Sequence, residues 1–166
     1  MINIRKLTKT ILLIALTTSL AACNGESTDA SKKSKQPERK MQCLEQQSQC
    51  YFELEHGRVE VLFDVNKILA EQAFNISVSY NGTNHIEAVT GYMEGVEMFM
   101  GKIPLFLENI ASSASSSLNQ KPQIFQGEVL VGSCSAETMT WKIWLTFTMA
   151  DQQTHSKMLT IVSHRS

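Results

Sequence analysis

Apolar and polar residues alternate with a period of two along much of the chain beyond residue 50. In the clearest runs, 74–80 and 141–149, the apolar residues are Phe74, Ile76, Val78 and Tyr80, and then Trp141, Ile143, Leu145, Phe147 and Met149. Alternation of this kind is typical of β-strands that turn one face to a hydrophobic core. Both runs are therefore predicted to be strands.

Six further segments have strand character: 51–55, 59–65, 86–92, 102–107, 124–131 and 157–163. The turn signals between them are Gly57, Asn81-Gly82, Gly101, Gly127 and Asp151-Gln152. The Asn-Gly pair predicts a hairpin turn. The segment 105–118 is compatible with a helix, but its second half is rich in serine, which favours a loop with a helical turn near 108–111.

About eight short strands separated by turns indicate an all-β sandwich or barrel. We favour an immunoglobulin-like antiparallel β-sandwich of about seven to eight strands. If consecutive strands run antiparallel, the connections 93–101 and 132–139 emerge at the same end of the sandwich. The turns that contain His85 and His155 then lie at the opposite end.

The N-terminus has the organisation of an export signal. Three basic residues within the first nine are followed by a ten-residue apolar run at 11–20, too short to span a bilayer as a helix. The next residues, Leu-Ala-Ala-Cys at 20–23, resemble the bacterial lipoprotein signal, which implies cleavage after 1–22 and lipid attachment to Cys23. The alternative is an ordinary signal peptide in which this cysteine occurs by chance.

Residues 24–41 are polar and lack aromatic side chains, so they cannot bury enough surface to fold alone. We interpret 23–41 as a lipidated cysteine and linker, and 42–166 as the folded domain. This organisation predicts a protein anchored on the periplasmic side of the cell envelope. Asn24, by resemblance to the enteric sorting rule, favours the outer membrane.

The charge of the predicted domain restricts its partners. Residues 42–166 carry seven Lys or Arg against thirteen Asp or Glu, whereas residues 24–41 carry five against three. An acidic domain argues against nucleic acid, because binding to phosphates requires a basic surface. It is compatible with a cation ligand, although a solvated acidic surface is the commoner reason.

The remaining cysteines divide by position. Cys43 and Cys50 lie seven residues apart at the start of the domain, and in an oxidising compartment they are predicted to form a disulfide. Cys134 then has no obvious mate. Burial, an intermolecular bridge or a metal are the alternatives that account for it.

Soft sulfur ligands cluster in the two connections that are predicted to meet. Met93, Met98 and Met100 lie in or beside 93–101, and Cys134 and Met139 lie in 132–139. Thioether and thiolate sulfur suit monovalent copper better than zinc, calcium or magnesium. The competing interpretation is that the methionines fill an irregular core and that Cys134 is a small buried apolar residue.

The stretches GYMEGVEMFMGKIPLFLE and FQGEVLVGSCSAETMTWKIWLTF resemble small exported β-sandwich domains of the YtkA-like and FixH-like kind, over roughly residues 55–150. Those domains carry methionine-glycine motifs, so the resemblance implies copper handling or oxidase assembly. It transfers only to Met93, Met98 and Met100, and with less security to Cys134 and Met139. The chain lacks a histidine within the methionine stretch, which argues against divalent copper more than against monovalent copper.

Other chemistry has little support in the sequence. His56, His85, His155 and His164 are scattered without the spacing of a zinc site, and no nucleophile elbow or phosphate-binding loop is present. We therefore expect no enzymatic activity. Trp141 and Trp144 are predicted to lie on opposite faces of one strand, with one in the core.

Three functions remain as hypotheses. The first is a lipid-anchored protein that binds copper(I) and delivers it to a membrane oxidase or another copper-accepting protein. The second is an interaction module that binds no metal and supports a membrane protein complex. The third is thiol-redox chemistry through Cys134 with Cys43 or Cys50, which no Cys-Xaa-Xaa-Cys motif supports.

Overall fold

A computed structural model of the chain describes residues 40–110 and 122–166. The predicted signal 1–22, Cys23 and most of the linker lie outside the described residues, as does 111–118 of the serine-rich segment. The described residues belong to one compact unit, Gln36–Ser166. Across residues 40–110 and 122–166, there is no helix long and apolar enough to span a membrane.

The described residues form ten β-strands and confirm the all-β prediction. The strands are β1 (Tyr51–Leu54), β2 (Gly57–Phe63), β3 (Ile68–Leu69), β4 (Phe74–Gly82), β5 (Ile86–Gly95), β6 (Lys102–Leu105), β7 (Glu108–Asn109), β8 (Gln123–Val129), β9 (Thr138–Met149) and β10 (Thr154–His164). Eight of them have four or more residues, and these match the eight segments predicted from alternation.

Two five-stranded sheets pack face to face as an immunoglobulin-like sandwich. One has the order β1-β2-β4-β8-β7 and the other the order β3-β10-β9-β5-β6. All pairings are antiparallel except that of β3 with β10. The six long strands occupy the inner positions of the sheets, and the outermost strands have only two to four residues.

The core consists of the apolar residues that occupy every second position of the strands. In β9, every second residue from Met139 to Met149 is buried, and the residues between them are partly exposed. Trp141 is fully buried and its indole N–H donates a hydrogen bond of 2.9 Å to the Ser163 hydroxyl. Trp144 lies on the outer face, so the prediction of one core tryptophan is confirmed.

Asn81 and Gly82 extend β4, so the predicted hairpin turn at this position is wrong. Gly82 pairs with Gly57 on β2, and the chain then crosses to the other sheet through 83–85. A Cβ atom on Gly82 would overlap the phenol ring of Tyr80. The same atom would lie 2.5 Å from the His56 carbonyl oxygen in the turn between β1 and β2. The glycine is therefore needed for this close approach, and not for a turn.

The helical turn predicted near 108–111 is also wrong at its first two residues. Glu108 and Asn109 form the short strand β7, which pairs with Gln126 and Phe125 of β8. A helix confined to residues 105–110 would be too short to be stable by itself. Pairing with the edge of β8 gives the backbone of Glu108 and Asn109 hydrogen-bond partners instead.

Cys43 and Cys50 form the predicted disulfide, with Cα atoms 5.8 Å apart. The loop that they close touches both sheets. The amide of Gln47 donates to the Val61 carbonyl of β2, and the backbone N–H of Ser48 donates to the Thr160 carbonyl of β10. The disulfide therefore holds a short loop across the gap between the two sheets.

Removal of this disulfide is expected to lower the free energy of unfolding by about 2–3 kcal/mol, since closing a short loop restricts the unfolded chain by that amount. The variant Cys43→Ser/Cys50→Ser should therefore unfold at a lower urea concentration than the parent protein. Cys134→Ser is the matched control and should unfold with the parent. Equal midpoints for all three proteins would contradict the bridging role of this loop.

Candidate sulfur site at one end of the sandwich

Two loops that are distant in sequence meet at one end of the sandwich. We call 96–101, which joins β5 to β6, the tip loop, and 130–137, which joins β8 to β9, the crossover loop. Strands β5 and β9 are antiparallel neighbours, with Gly95 opposite Trp141. The end of β5 therefore lies beside the start of β9, which confirms that these two connections emerge together.

The two loops bring two sulfur atoms into contact. The Sγ atom of Cys134 lies 4.0 Å from the Sδ atom of Met98, which is 36 residues away in sequence. Cys134 is partly buried and packs against the core, whereas the Met98 side chain is 45% exposed. One sulfur is thus held by the fold and the other is open to solvent.

Met100, also on the tip loop, contacts the crossover loop at Gly132. Its methyl carbon is 3.2 Å from the position that a Cβ atom on Gly132 would occupy, so it lies over the crossover loop. Met100 is also exposed. Three sulfur-bearing side chains, those of Met98, Met100 and Cys134, therefore gather where the two loops meet.

The other two predicted ligands are in the core. Met93 is fully buried on the inner face of β5, and Met139 is 4% exposed at the start of β9. The end of the Met139 side chain packs against Gly95. Both methionines serve as core filler in this conformation, so the solvent-accessible part of the candidate site consists of Met98, Met100 and Cys134.

Hydrogen bonds to Thr140 fix the tip loop on β9. The N–H of Val96 donates to the Thr140 carbonyl, and the Thr140 N–H donates to the Glu97 carboxylate. Both hydrogen bonds have a donor–acceptor distance of 2.9 Å. Hydrogen bonds from the side chain and backbone of Thr140 lower the pKa of Glu97. The Glu97 carboxylate therefore stays ionised at neutral pH and points back to the sheet.

The crossover loop is held by a residue near the C-terminus. The guanidinium of Arg165 donates to the Ser135 carbonyl and forms an ion pair of 3.5 Å with Glu137, and its backbone N–H donates to the Glu137 carbonyl. Sequence reasoning missed both Arg165 and Thr140. Neither belongs to a motif, because their roles depend on pairings of β9 with its neighbours.

The opposite end of the sandwich is polar. Turns between β1 and β2, between β4 and β5 and between β9 and β10 line two cavities of about 350 and 70 Å³. His85 and His155 lie here, as predicted, together with His56. His164 lies at the other end of β10, where its ring is 3.0 Å from the Gln46 side-chain oxygen.

Within residues 40–110 and 122–166, no three His, Cys, Asp or Glu side chains are grouped closely enough to hold a metal ion. Cys134 is free, and Cys43 and Cys50 are bonded to each other. The pairing of Cys134 with Cys43 or Cys50, the main form of the thiol-redox hypothesis, is therefore not the arrangement observed.

Comparison with known proteins gives little further information. No family model matches the chain, and no curated protein matches it. Among solved structures, the chain is similar to a Niemann-Pick type C2 protein from the Japanese carpenter ant. The two are 12% identical, with a TM-score of 0.34, and the match covers 60% of this chain and 79% of the other.

Proposed function

We propose that this protein is a lipid-anchored envelope protein that binds one monovalent copper ion between the tip loop and the crossover loop and passes it to a membrane partner. The observation that carries the proposal is the contact between Met98 and Cys134. The resemblance to exported copper-handling domains and the export signal with its cysteine at position 23 support it. The Cys43–Cys50 disulfide is also typical of an oxidising compartment.

The spacing of the two sulfur atoms suits a shared ion. Metal–thiolate bonds are about 2.3 Å long, so two sulfur ligands separated by a trigonal angle would lie about 4.0 Å apart. The Cys134 and Met98 sulfur atoms have this separation already. Met100, whose flexible side chain lies over the crossover loop at Gly132, is the candidate for a third sulfur ligand.

The kinds of ligand favour copper(I) over other metals. One thiolate and two thioethers form a soft set with no oxygen or imidazole, and such ligands select copper(I) in preference to calcium or magnesium. The nearest carboxylate on the tip loop, that of Glu97, is occupied by Thr140. One oxygen of this carboxylate is thus already engaged as an acceptor by β9.

The same ligand set favours delivery over storage or catalysis. Thioethers are neutral and bind weakly, and two of the three proposed ligands are on the exposed tip loop. An acceptor that approaches this end can replace Met98 and Met100 one at a time while Cys134 still holds the ion. We therefore propose transfer by ligand exchange, without enzymatic turnover.

Titration with copper(I) in competition with a chromogenic chelator tests this function. With ascorbate as reductant, so that the Cys43–Cys50 bridge stays intact, the protein should bind one equivalent. The variant Met98→Leu/Met100→Leu/Cys134→Ser should lose that binding, because leucine preserves the volume of methionine and removes the sulfur. Met158→Leu, on the outer face of β10, is the matched control. Undiminished affinity in the triple variant would exclude this site.

A second candidate is an envelope interaction module that binds no metal. The observation that favours it is a separate group of exposed apolar side chains: Phe106 (76% exposed) and Ile110 flank β7, and Leu130 follows β8. Apolar residues of this size on an edge are common in protein contacts. Purification from membranes with elemental analysis of the same sample separates the candidates, since a stoichiometric partner without copper would favour the module.

A further inference from the structure

The tip loop presents an apolar surface to solvent. Its exposed side chains are those of Val96, Met98, Phe99 and Met100, and Phe99 is 92% exposed. A phenylalanine on a loop normally packs back onto the protein, because each buried Å² of apolar surface is stabilising. The nearly complete exposure of Phe99 therefore needs a reason outside the domain.

The single charged side chain of the tip loop is tied to β9. Glu97, the loop's only charged residue, is exposed as well, but one oxygen of its carboxylate accepts a hydrogen bond from the Thr140 N–H on β9. Gly101, with a φ of 77°, then turns the chain back into β6. Four of the five exposed residues of the loop, 96–100, are thus apolar, and Phe99 is the most exposed of these four.

The chain enters the domain at the same end. Gln42 pairs with Phe63, the last residue of β2, through a hydrogen bond of 2.8 Å between its N–H and the Phe63 carbonyl. Phe63 lies opposite Ile76 near the start of β4, whose first residue, Phe74, is opposite Val129. Val129 is where β8 ends and the crossover loop follows, so the predicted linker and the tip loop share one end of the sandwich.

We propose that the tip loop inserts into the surface of the lipid bilayer to which the protein is anchored, with Phe99 as the deepest residue. This inference rests on the lipid anchor in the proposed function. The eighteen residues predicted to join Cys23 to the domain span at most about 60 Å when fully extended. They attach at the end that carries the apolar tip, so the anchor holds this tip close to the membrane.

A bilayer is the occupant that these features fit best. Aromatic and aliphatic side chains insert about 5–10 Å into the boundary between head groups and acyl chains without specific hydrogen-bond partners. One loop of this size binds a membrane weakly, but a tethered loop has a high effective concentration at the surface. Insertion of Phe99 would also place the Met98–Cys134 pair at the membrane surface, where a membrane-embedded copper acceptor can reach it.

Tryptophan quenching in reconstituted vesicles tests the inference. The full-length lipidated protein carrying Phe99→Trp is incorporated into phosphatidylethanolamine–phosphatidylglycerol vesicles that contain brominated lipid. Its added emission should be blue-shifted and quenched about twofold, as expected for a group at interfacial depth. Thr83→Trp, on an exposed turn at the opposite end, is the matched control and should not be quenched. The parent protein gives the background from Trp141 and Trp144.

The outcomes separate this inference from the copper proposal. Quenching of Phe99→Trp without quenching of Thr83→Trp supports insertion of the tip. The quenching should persist when Met98→Leu is added, because leucine keeps the loop apolar, whereas the copper affinity should fall. Unquenched Phe99→Trp in lipidated protein overturns the inference and leaves copper binding unaffected. Equal quenching of both tryptophans overturns it as well. A chain without lipid on Cys23 overturns both this inference and the anchoring part of the proposed function.

Discussion

Replacement of Trp141 by alanine is expected to lower the free energy of unfolding by about 3–5 kcal/mol, the range for a large aromatic residue removed from a packed core. Trp141 is fully buried near the start of β9, and its indole N–H is bonded to Ser163. The substitution leaves both a cavity and a hydroxyl without its donor. Urea denaturation followed by near-ultraviolet circular dichroism measures the change.

Trp144→Ala is the matched control for this experiment. Trp144 lies three residues further along the same strand but on the outer face, where it stacks on Tyr92 at a ring distance of 6.3 Å and donates to Glu94. Its loss should destabilise the protein by about 1 kcal/mol, as is usual for a partly exposed residue. Equal effects of the two substitutions would contradict the assignment of the core to one face of β9.

A single added methyl group at Gly95 should disrupt the candidate site without removing any sulfur. A Cβ atom there would lie 2.5 Å from the Met98 carbonyl oxygen and would overlap the end of Met139. The Met98 oxygen belongs to the backbone and cannot rotate away, so the tip loop has to move. We expect Gly95→Ala to destabilise the protein by about 1–3 kcal/mol.

The same substitution should weaken copper(I) binding about tenfold, equivalent to about 1.4 kcal/mol, because Met98 moves away from Cys134. Gly132→Ala, on the crossover loop, is the control for stability alone, because it contacts the proposed ligand Met100. Its nearest neighbour is the methyl end of Met100 at 3.2 Å, which can move freely, so stability should change by no more than about 0.5 kcal/mol. Parent-like copper affinity in Gly95→Ala would show that the position of Met98 is irrelevant to binding.

The strands could be predicted from sequence because their burial is one-sided. In the segment 141–149 every second residue is apolar and buried in β9, and Trp144 is the one apolar residue on the other face. The meeting of the tip and crossover loops could also be predicted, because antiparallel order alone determines at which end a connection lies. The disulfide followed from the seven-residue spacing of Cys43 and Cys50 together with the export signal.

The positions that sequence reasoning missed depend on contacts between strands. Asn81-Gly82 has the composition of a hairpin turn, but the proximity of Tyr80 and Gly57 accounts for the glycine. The two connections contain four methionines and one cysteine as possible ligands, and only the burial of β5 shows that Met93 faces the core. The roles of Thr140 and Arg165 depend in the same way on the neighbours of β9 and β10.

The exposure of Phe99 was equally beyond the sequence. Its position between two methionines and near glycines is compatible with a buried strand or with a loop. The hydrogen bonds from Val96 and Glu97 to Thr140 fix the start of the loop on β9, and Phe99 beyond them is 92% exposed. A local pattern cannot contain this information, since Thr140 is more than forty residues away.

The short outer strands have a consequence for behaviour at high concentration. Each sheet ends in strands of two to four residues, β1 and β7 in one and β3 and β6 in the other, and β6 contains Pro104, which has no N–H to donate. Long unpaired edges are the usual template for one β-protein to add to another. The four outermost strands therefore offer the backbone of a second molecule only short stretches to pair with.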